Sequence, residues 1–142
     1  MELGAGHASK TGILLDAIVR MQGDALYMPV DISSDALDVA CESIACSLPE
    51  VRVVPIVANY VTCPPRLEPF DGTTLAMYIG SSIGNFSPEE ARTILRNLSA
   101  QLRVGDALLL GTDMVKDEST LVAAYDDVMF SHPMEECALL RA

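Results

Sequence analysis

Positive charge is scarce in this sequence. Of 142 residues, 9 are Lys or Arg against 20 Asp or Glu, and the formal net charge is -11. A surface that acidic repels phosphate backbones, which argues against a nucleic-acid partner. Long apolar runs are missing as well. Half of the residues are hydrophobic (50%), yet Gly, Pro or charge interrupts every stretch well before the ~18 apolar residues a membrane span requires. The first residues show no basic stretch followed by an apolar one, so no signal peptide is expected. The cysteines Cys41, Cys46, Cys63 and Cys137 form no CxxC pair, and no histidine stands near them at zinc spacing. Free thiols in a reducing cytosol are the expectation, with no metal site. His7 and His132 have no acid at triad-like spacing. Internal repeats and low-complexity tracts are absent. What remains is one domain's length of chain, with apolar content sufficient for one core.

Strand and helix patterns alternate along it. Met1-Glu2-Leu3 reads as the end of a strand that enters the turn Gly4-Ala5-Gly6. From Ser9 to Met21, the apolar residues Ile13, Leu14, Leu15, Ile18, Val19 and Met21 predict a largely buried helix, closed by Gly23-Asp24. Ala25 to Ile32 reads as a strand ending at Asp31. Ser33 or Ser34 caps a helix whose Leu37, Ala40, Cys41, Ile44 and Leu48 recur at three and four, until Pro49 stops it. Val51 to Val57 is a β-branched strand, and residues 58 to 73, with three prolines and a glycine, form a loop. Leu75 to Ile79 is a strand running into Gly80-Ser81-Ser82-Ile83-Gly84-Asn85. Ser87-Pro88-Glu89-Glu90 is a capping box that opens a helix; Ala91, Ile94, Leu95, Leu98 and Leu102 form its buried stripe and Gly105 closes it. Ala107 to Leu110 is a strand, and Asp117 to about Met129 a last helix. This alternation predicts an α/β fold, a parallel sheet with helices on both faces.

In such sheets ligands sit beyond the carboxyl ends of the strands. Gly4-Ala5-Gly6, Asp31, Asn59-Tyr60, Gly80 to Asn85 and Thr112-Asp113 all fall at such ends. The first turn lets backbone approach a ligand closely, but Ser9 stands where a third glycine of a dinucleotide fingerprint belongs. Asp31 is placed to accept hydrogen bonds from two ribose hydroxyls, or to cap the next helix. Glu2 either faces a cationic part of a cofactor or is a solvated acid. Lys10 sits at a helix start, where the dipole disfavours a cation; it serves an anionic ligand group or is simply solvated. Asn59-Tyr60 either reads a purine, by amide and ring, or is a turn-forming Asn with a packed Tyr. Asn85 suits an amino-acid carboxylate or amine, unless its loop merely leads a helix. Tyr125 belongs either to the core or to a site.

The stretches ELGAGHASKTGILLDA (2–17), YMPVDIS (27–33), IGSSIGNFSPEEA (79–91) and DALLLGTDMVKDESTLVAAYDD (106–127) together resemble the histidine-specific N-alpha-methyltransferases of ergothioneine biosynthesis. The resemblance covers roughly residues 1 to 128, and its last two stretches are specific. It implies a Rossmann-like class I methyltransferase core with S-adenosylmethionine as cofactor. Gly4, Lys10, Asp31, Asn59, Tyr60 and Gly80 would then contact the cofactor, and Asn85 and Tyr125 the histidine. The implied reaction carries methyl groups to the alpha-amino nitrogen until the trimethyl betaine, hercynine, forms. The implied partner is a small amino acid in the cytoplasm, with neither nucleic acid nor membrane involved. No residue is singled out as a general base.

The departures carry expectations of their own. Asn59-Tyr60 replaces the family's Asp-Phe, which removes a charge and predicts a weaker hold on adenine. The sequence opens inside the first strand, and the family's substrate-reading C-terminal part is not in it, so residues 1–129 are expected to form a partial cofactor-binding core and 130–142 a tail outside the family pattern. Shortening a central strand strips hydrogen-bonded pairing from mid-sheet. This predicts marginal stability, or an irregular sheet around Glu2. A relative acting on another amino acid and a non-catalytic fragment are the alternatives. An NAD-dependent Rossmann enzyme is disfavoured by the missing third glycine and by the GSSIGN loop.

Overall fold

A computed structural model describes residues 1–6, 8–66, 71–112, 114, 117, 119 and 120. The strands are β1 (Glu2–Leu3), β2 (Ala25–Tyr27), β3 (Pro29–Asp31), β4 (Val51–Val53), β5 (Ile56–Val57), β6 (Leu75–Tyr78) and β7 (Ala107–Leu110). The helices are α1 (Ser9–Gln22), α2 (Ser34–Ser47) and α3 (Pro88–Ser99), with a 3₁₀ turn at Ser82–Asn85. Every strand pairing among the described residues is parallel. Five strands form one sheet in the order β5-β3-β1-β6-β7, and β2 pairs with β4 separately.

The split into two sheets has a local cause. Ala25 faces Val51 and Val30 faces Ile56, so β2–β4 and β3–β5 keep the same register. The break between them falls beside Pro29, which has no N–H to give to the ladder that the Val54 amide opens to Tyr27 and the Ala58 amide continues to Asp31. Residues 25–31 thus trace one strand and 51–57 another, as the sequence pattern suggests, with their shared ladder interrupted beside Pro29. The effective order places the first strand at the centre, flanked by the second and fourth. That central strand is only two residues long, and it meets β6 at one aligned pair, Glu2 with Met77.

Side chains alternate between two cores, as period-two geometry requires. Met28, Val30, Ala76 and Tyr78 point to the face covered by Ile94 and Leu98 of α3. Tyr27, Val51 and Met77 point to the opposite face, where Leu15 of α1 and Ala40 and Ile44 of α2 pack. Burying a side chain such as Ile94 or Leu98 contributes about 1.5–3 kcal/mol. The predicted stripes of α2 and α3 are the ones that face the sheet.

Two expectations are corrected. Helix α1 is not largely buried: Ile13 and Met21 are 74% and 88% exposed, and only Thr11 and Leu15 among its described side chains are fully covered. Its apolar residues are spread too widely around the axis for one sheet face to cover. Helix α3 ends at Ser99 rather than at Gly105, which instead makes a positive-φ turn ahead of β7. In the loop after β6, Ser82–Asn85 winds into a 3₁₀ turn. The capping box is present as expected: Ser87 Oγ accepts from the Glu90 amide and the Glu90 carboxylate accepts from the Ser87 amide. Of the last helix, Asp117 accepts from the Thr120 amide; most of that segment lies outside the described residues.

Candidate functional site at the carboxyl rim of the sheet

Because the strands are all parallel, the loops after β1, β3, β5, β6 and β7 open at one end. The glycine turn and Asp31 meet there. Asp31 Oδ2 accepts from the Gly6 amide at 3.1 Å, and Oδ1 from the Ser33 amide at 3.0 Å. The helix cap is Ser33, whose hydroxyl accepts from Ala36, so Asp31 is not the capping side chain. It holds the first turn against the entry to α2, and each carboxylate oxygen keeps a lone pair for a further donor. Backbone continues the junction: the Gly4 amide donates to Val30 at 2.8 Å.

The turn itself is conformationally demanding. Gly4 has φ +64°, and a Cβ there would stand 3.2 Å from the Tyr60 hydroxyl and 3.5 Å from Ser82 Oγ. That Ser82 oxygen is buried with no hydrogen-bond partner among the described residues. Among the described residues, the two non-glycines with positive φ are Ala8 (52°) and Ser81 (63°). Both lie in rim loops, after β1 and β6. Left-handed backbone of this kind costs about 1–3 kcal/mol and is concentrated at functional sites.

Glu2 does neither of the things considered for it. It is 2% exposed. Its carboxylate takes the hydroxyl of Tyr27, and the Thr11 hydroxyl lies 2.8 and 2.7 Å from its two oxygens. Burial pushes its pKa up, against the opposing pull of these hydrogen bonds and of the nearby amino terminus. Glu2 therefore ties β1 to β2 and to the first turn of α1, directly behind the glycine turn.

The other residues are placed as follows. Lys10 is exposed in the first turn of α1, a turn without an acidic residue and without a capping side chain. Such a helix start favours an anion. Asn59 is exposed, and its Oδ1 accepts from the Val61 and Thr62 amides at 3.0 and 3.3 Å; its acceptor closes a turn. Tyr60 is buried, edge-on to Tyr78 and Phe86, with its hydroxyl 3.4 Å from that of Tyr78. Desolvation and this neighbour raise its pKa. Gly80, at φ +93°, faces open space, and Asn85 is exposed at the end of the 3₁₀ turn. Gly4, Asp31 and Tyr60 are thus linked directly or through one neighbour, while Lys10 and Asn85 are exposed on the elements that follow β1 and β6. Tyr125 and Asp113 lie outside the described residues. Thr11, Tyr27, Tyr78 and Ser82 were not singled out from the sequence. The one signal for Ser82 was the run of small polar residues in GSSIGN. Cys41, Cys46 and Cys63 are free thiols, and no cluster of metal-ligating side chains exists among the described residues.

A cleft of about 660 Å³ lies at the other end of the sheet, beside Met1, Ala25, Thr74 and Ala107. Those residues begin strands rather than end them, so the cleft is separate from the rim.

The fold has a counterpart among solved structures. The crystal structure of the glycopeptide N-methyltransferase MtfA matches with a TM-score of 0.54 at 16% identity, covering 77% of this chain and 44% of that one. The architecture is that of the class I S-adenosylmethionine-dependent methyltransferases. Within that class the chain belongs to the histidine-specific, SAM-dependent methyltransferase family, whose model matches residues 1–130. A histidine N-alpha-methyltransferase of Mycolicibacterium smegmatis is 35% identical over 127 residues, 89% of this chain and 39% of that protein. A 4-dimethylallyltryptophan N-methyltransferase of Claviceps purpurea is 27% identical over 137 residues, 88% of this chain and 39% of that protein. The chain therefore spans about two-fifths of the length of these relatives. No helix among the described residues is long and apolar enough to cross a membrane.

Proposed function

We propose that this chain is the S-adenosylmethionine-holding part of an enzyme that methylates the alpha-amino group of L-histidine, as a step toward hercynine, in the cytoplasm. The observation that carries the reading is the Gly6–Asp31 hydrogen bond at 3.1 Å, which sets a ribose-accepting carboxylate against a glycine turn. Asp31 binds the sugar hydroxyls. Gly4 and Gly80 let backbone approach the cofactor, and Lys10, at the start of α1, takes the methionine carboxylate. Asn59 and Tyr60 border the adenine, with Tyr60 acting through its packing. Asn85 and Tyr125 hold the amino acid. Residues 1–129 form this unit, and 130–142 stand outside it.

The bound cofactor supplies a sulfonium, from which a methyl group moves to nitrogen by in-line displacement. The residues of this chain position the two reactants, and such positioning supplies much of the rate. The fit rests on three features of the chain: the unoccupied lone pairs of Asp31, the space in front of Gly6 and Gly80, and an α1 start without an acid.

The Claviceps relative supports a second reading, in which a different amine is methylated on the same cofactor platform. Calorimetry with S-adenosylhomocysteine tests the platform itself. Saturable 1:1 binding, with Kd in roughly the 1–100 μM range, is expected. Absence of heat at millimolar ligand, from a chain that melts cooperatively, would remove the basis for the reading.

A further inference from the structure

The side chain of Asn59 is fixed by the turn it closes. Its Oδ1 accepts from the Val61 amide at 3.0 Å and from the Thr62 amide at 3.3 Å, and its backbone carbonyl accepts from the Cys63 amide at 2.7 Å. A backbone amide only donates, so the atom that meets Val61 and Thr62 is the oxygen, and the carboxamide is held one way round. Both lone pairs of Oδ1 are spent on the turn. What Asn59 keeps for a ligand is Nδ2, which has two N–H donors and no acceptor. Asn59 is exposed, and Nδ2 has no partner among the described residues.

The position lies beside the sugar site. Strand β5 runs parallel to β3 on its outer side, with Val57 opposite Asp31. The Ala58 amide donates to the Asp31 carbonyl at 3.0 Å, and Asn59 follows directly. A ribose carries its base and its sulfonium arm on opposite sides of the ring oxygen. With the ribose on Asp31 and the arm directed toward the glycine turn and α1, the base falls on the β5 side, at Asn59. Purines differ in what they offer there. Adenine has an exocyclic amine, a donor, beside a ring nitrogen that accepts; hypoxanthine has a carbonyl oxygen, an acceptor, in place of the amine. A donor that faces a donor makes no bond.

We propose that Asn59 is a specificity-determining residue of the cofactor site, which presents an N–H donor to the purine edge and so reads a hydrogen-bond acceptor rather than the exocyclic amine of adenine. This role of Asn59 rests on the proposed cofactor reading and deepens it. A ring nitrogen of adenine or the exocyclic oxygen of hypoxanthine satisfies the donor equally, so Asn59 gives no preference for adenine. A carboxylate in the same place acts in the opposite sense. One of its oxygens serves the Val61 and Thr62 amides, while the other accepts from the exocyclic amine and repels a carbonyl oxygen.

Asn59→Asp makes that change and keeps the turn. Calorimetry gives Kd for S-adenosylhomocysteine and for S-inosylhomocysteine, on the unaltered chain and on N59D, with a thermal melt of each protein. The quantity read is the ratio of the inosyl Kd to the adenosyl Kd. Asn59→Asp is expected to raise it roughly tenfold, the effect of one hydrogen bond to a charged group. A residue that only closed the turn would move both constants together. In the unaltered chain, the side-chain amide protons of Asn59 are expected to shift in the NMR spectrum on binding either ligand. A ratio that rises less than about threefold, or side-chain amide signals that stay in place, overturns this role of Asn59 and leaves the cofactor reading standing. Binding of neither ligand to either protein overturns both.

Discussion

Replacing Asp31 with alanine raises the Kd for S-adenosylhomocysteine roughly 100-fold. The carboxylate sits where β3 ends, and each of its oxygens already accepts one backbone amide, from Gly6 and from Ser33. Those two bonds fix its orientation and leave outward lone pairs for two ribose hydroxyls. A hydrogen bond to a charged group contributes about 1.5–3 kcal/mol, and every 1.4 kcal/mol is tenfold in affinity. Two such bonds, partly offset by water in the free state, give the expected factor. Asp31→Asn keeps one acceptor oxygen and gives up the charge, so its loss is intermediate, about tenfold. Asp31→Ala also frees the Gly6 amide, so the melting temperature is measured alongside. Calorimetry on the three proteins checks the ranking; equal affinity in all three would mean that Asp31 does not touch the ligand.

The second large effect is expected at Gly4. Two alanine substitutions at left-handed glycines share the same backbone strain, about 1–2 kcal/mol, and differ in what surrounds the new methyl group. At Gly6 (φ +50°) nothing lies within 4 Å, so Gly6→Ala costs the strain alone. At Gly4 the methyl meets the Tyr60 hydroxyl at 3.2 Å, and Tyr60 is wedged between Tyr78 and Phe86. The neighbour cannot give way cheaply, and Gly4→Ala is expected to cost about 1–2 kcal/mol more than Gly6→Ala. Because the nearest atom is a hydroxyl oxygen, Tyr60→Phe in the Gly4→Ala background recovers part of that excess, while Tyr60→Phe alone does not stabilise. Thermal melts of this double-mutant cycle read the coupling directly. Additive effects would show that the two residues do not meet.

These two residues also show how far the sequence carries. That Gly4 and Asp31 share one edge was legible because both stand at strand ends, and strand-ending positions in a parallel sheet lie at the same side. Their direct link through Gly6 was not written in the spacing, but it follows once β1 and β3 are neighbours. The proline at 29 could be seen, yet its effect depends on two strands lying side by side in register, which no local pattern encodes. Glu2 is the instructive case. Its partners, Thr11 and Tyr27, come from a helix and from a strand 25 residues away. With only local context, a strand-end acid reads as solvated or ligand-facing, because burying a carboxylate is costly unless distant donors supply hydrogen bonds. The same limit applied to Tyr60, whose packing against Tyr78 and Phe86 joins three separate segments. Helix α1 misled in the opposite sense: its apolar residues suggested burial, while the sheet offers it only one narrow face.

Amide chemical-shift mapping with S-adenosylhomocysteine most directly separates the two ends of the sheet. The account predicts that the perturbed amides cluster at the carboxyl rim, at Gly4 to Gly6, Asp31 to Ser33 and Gly80 to Ser82, with Ala25 to Tyr27 and Thr73 to Leu75 unmoved. Perturbations concentrated instead around those strand starts, with the Gly6 and Asp31 signals unchanged, would contradict it.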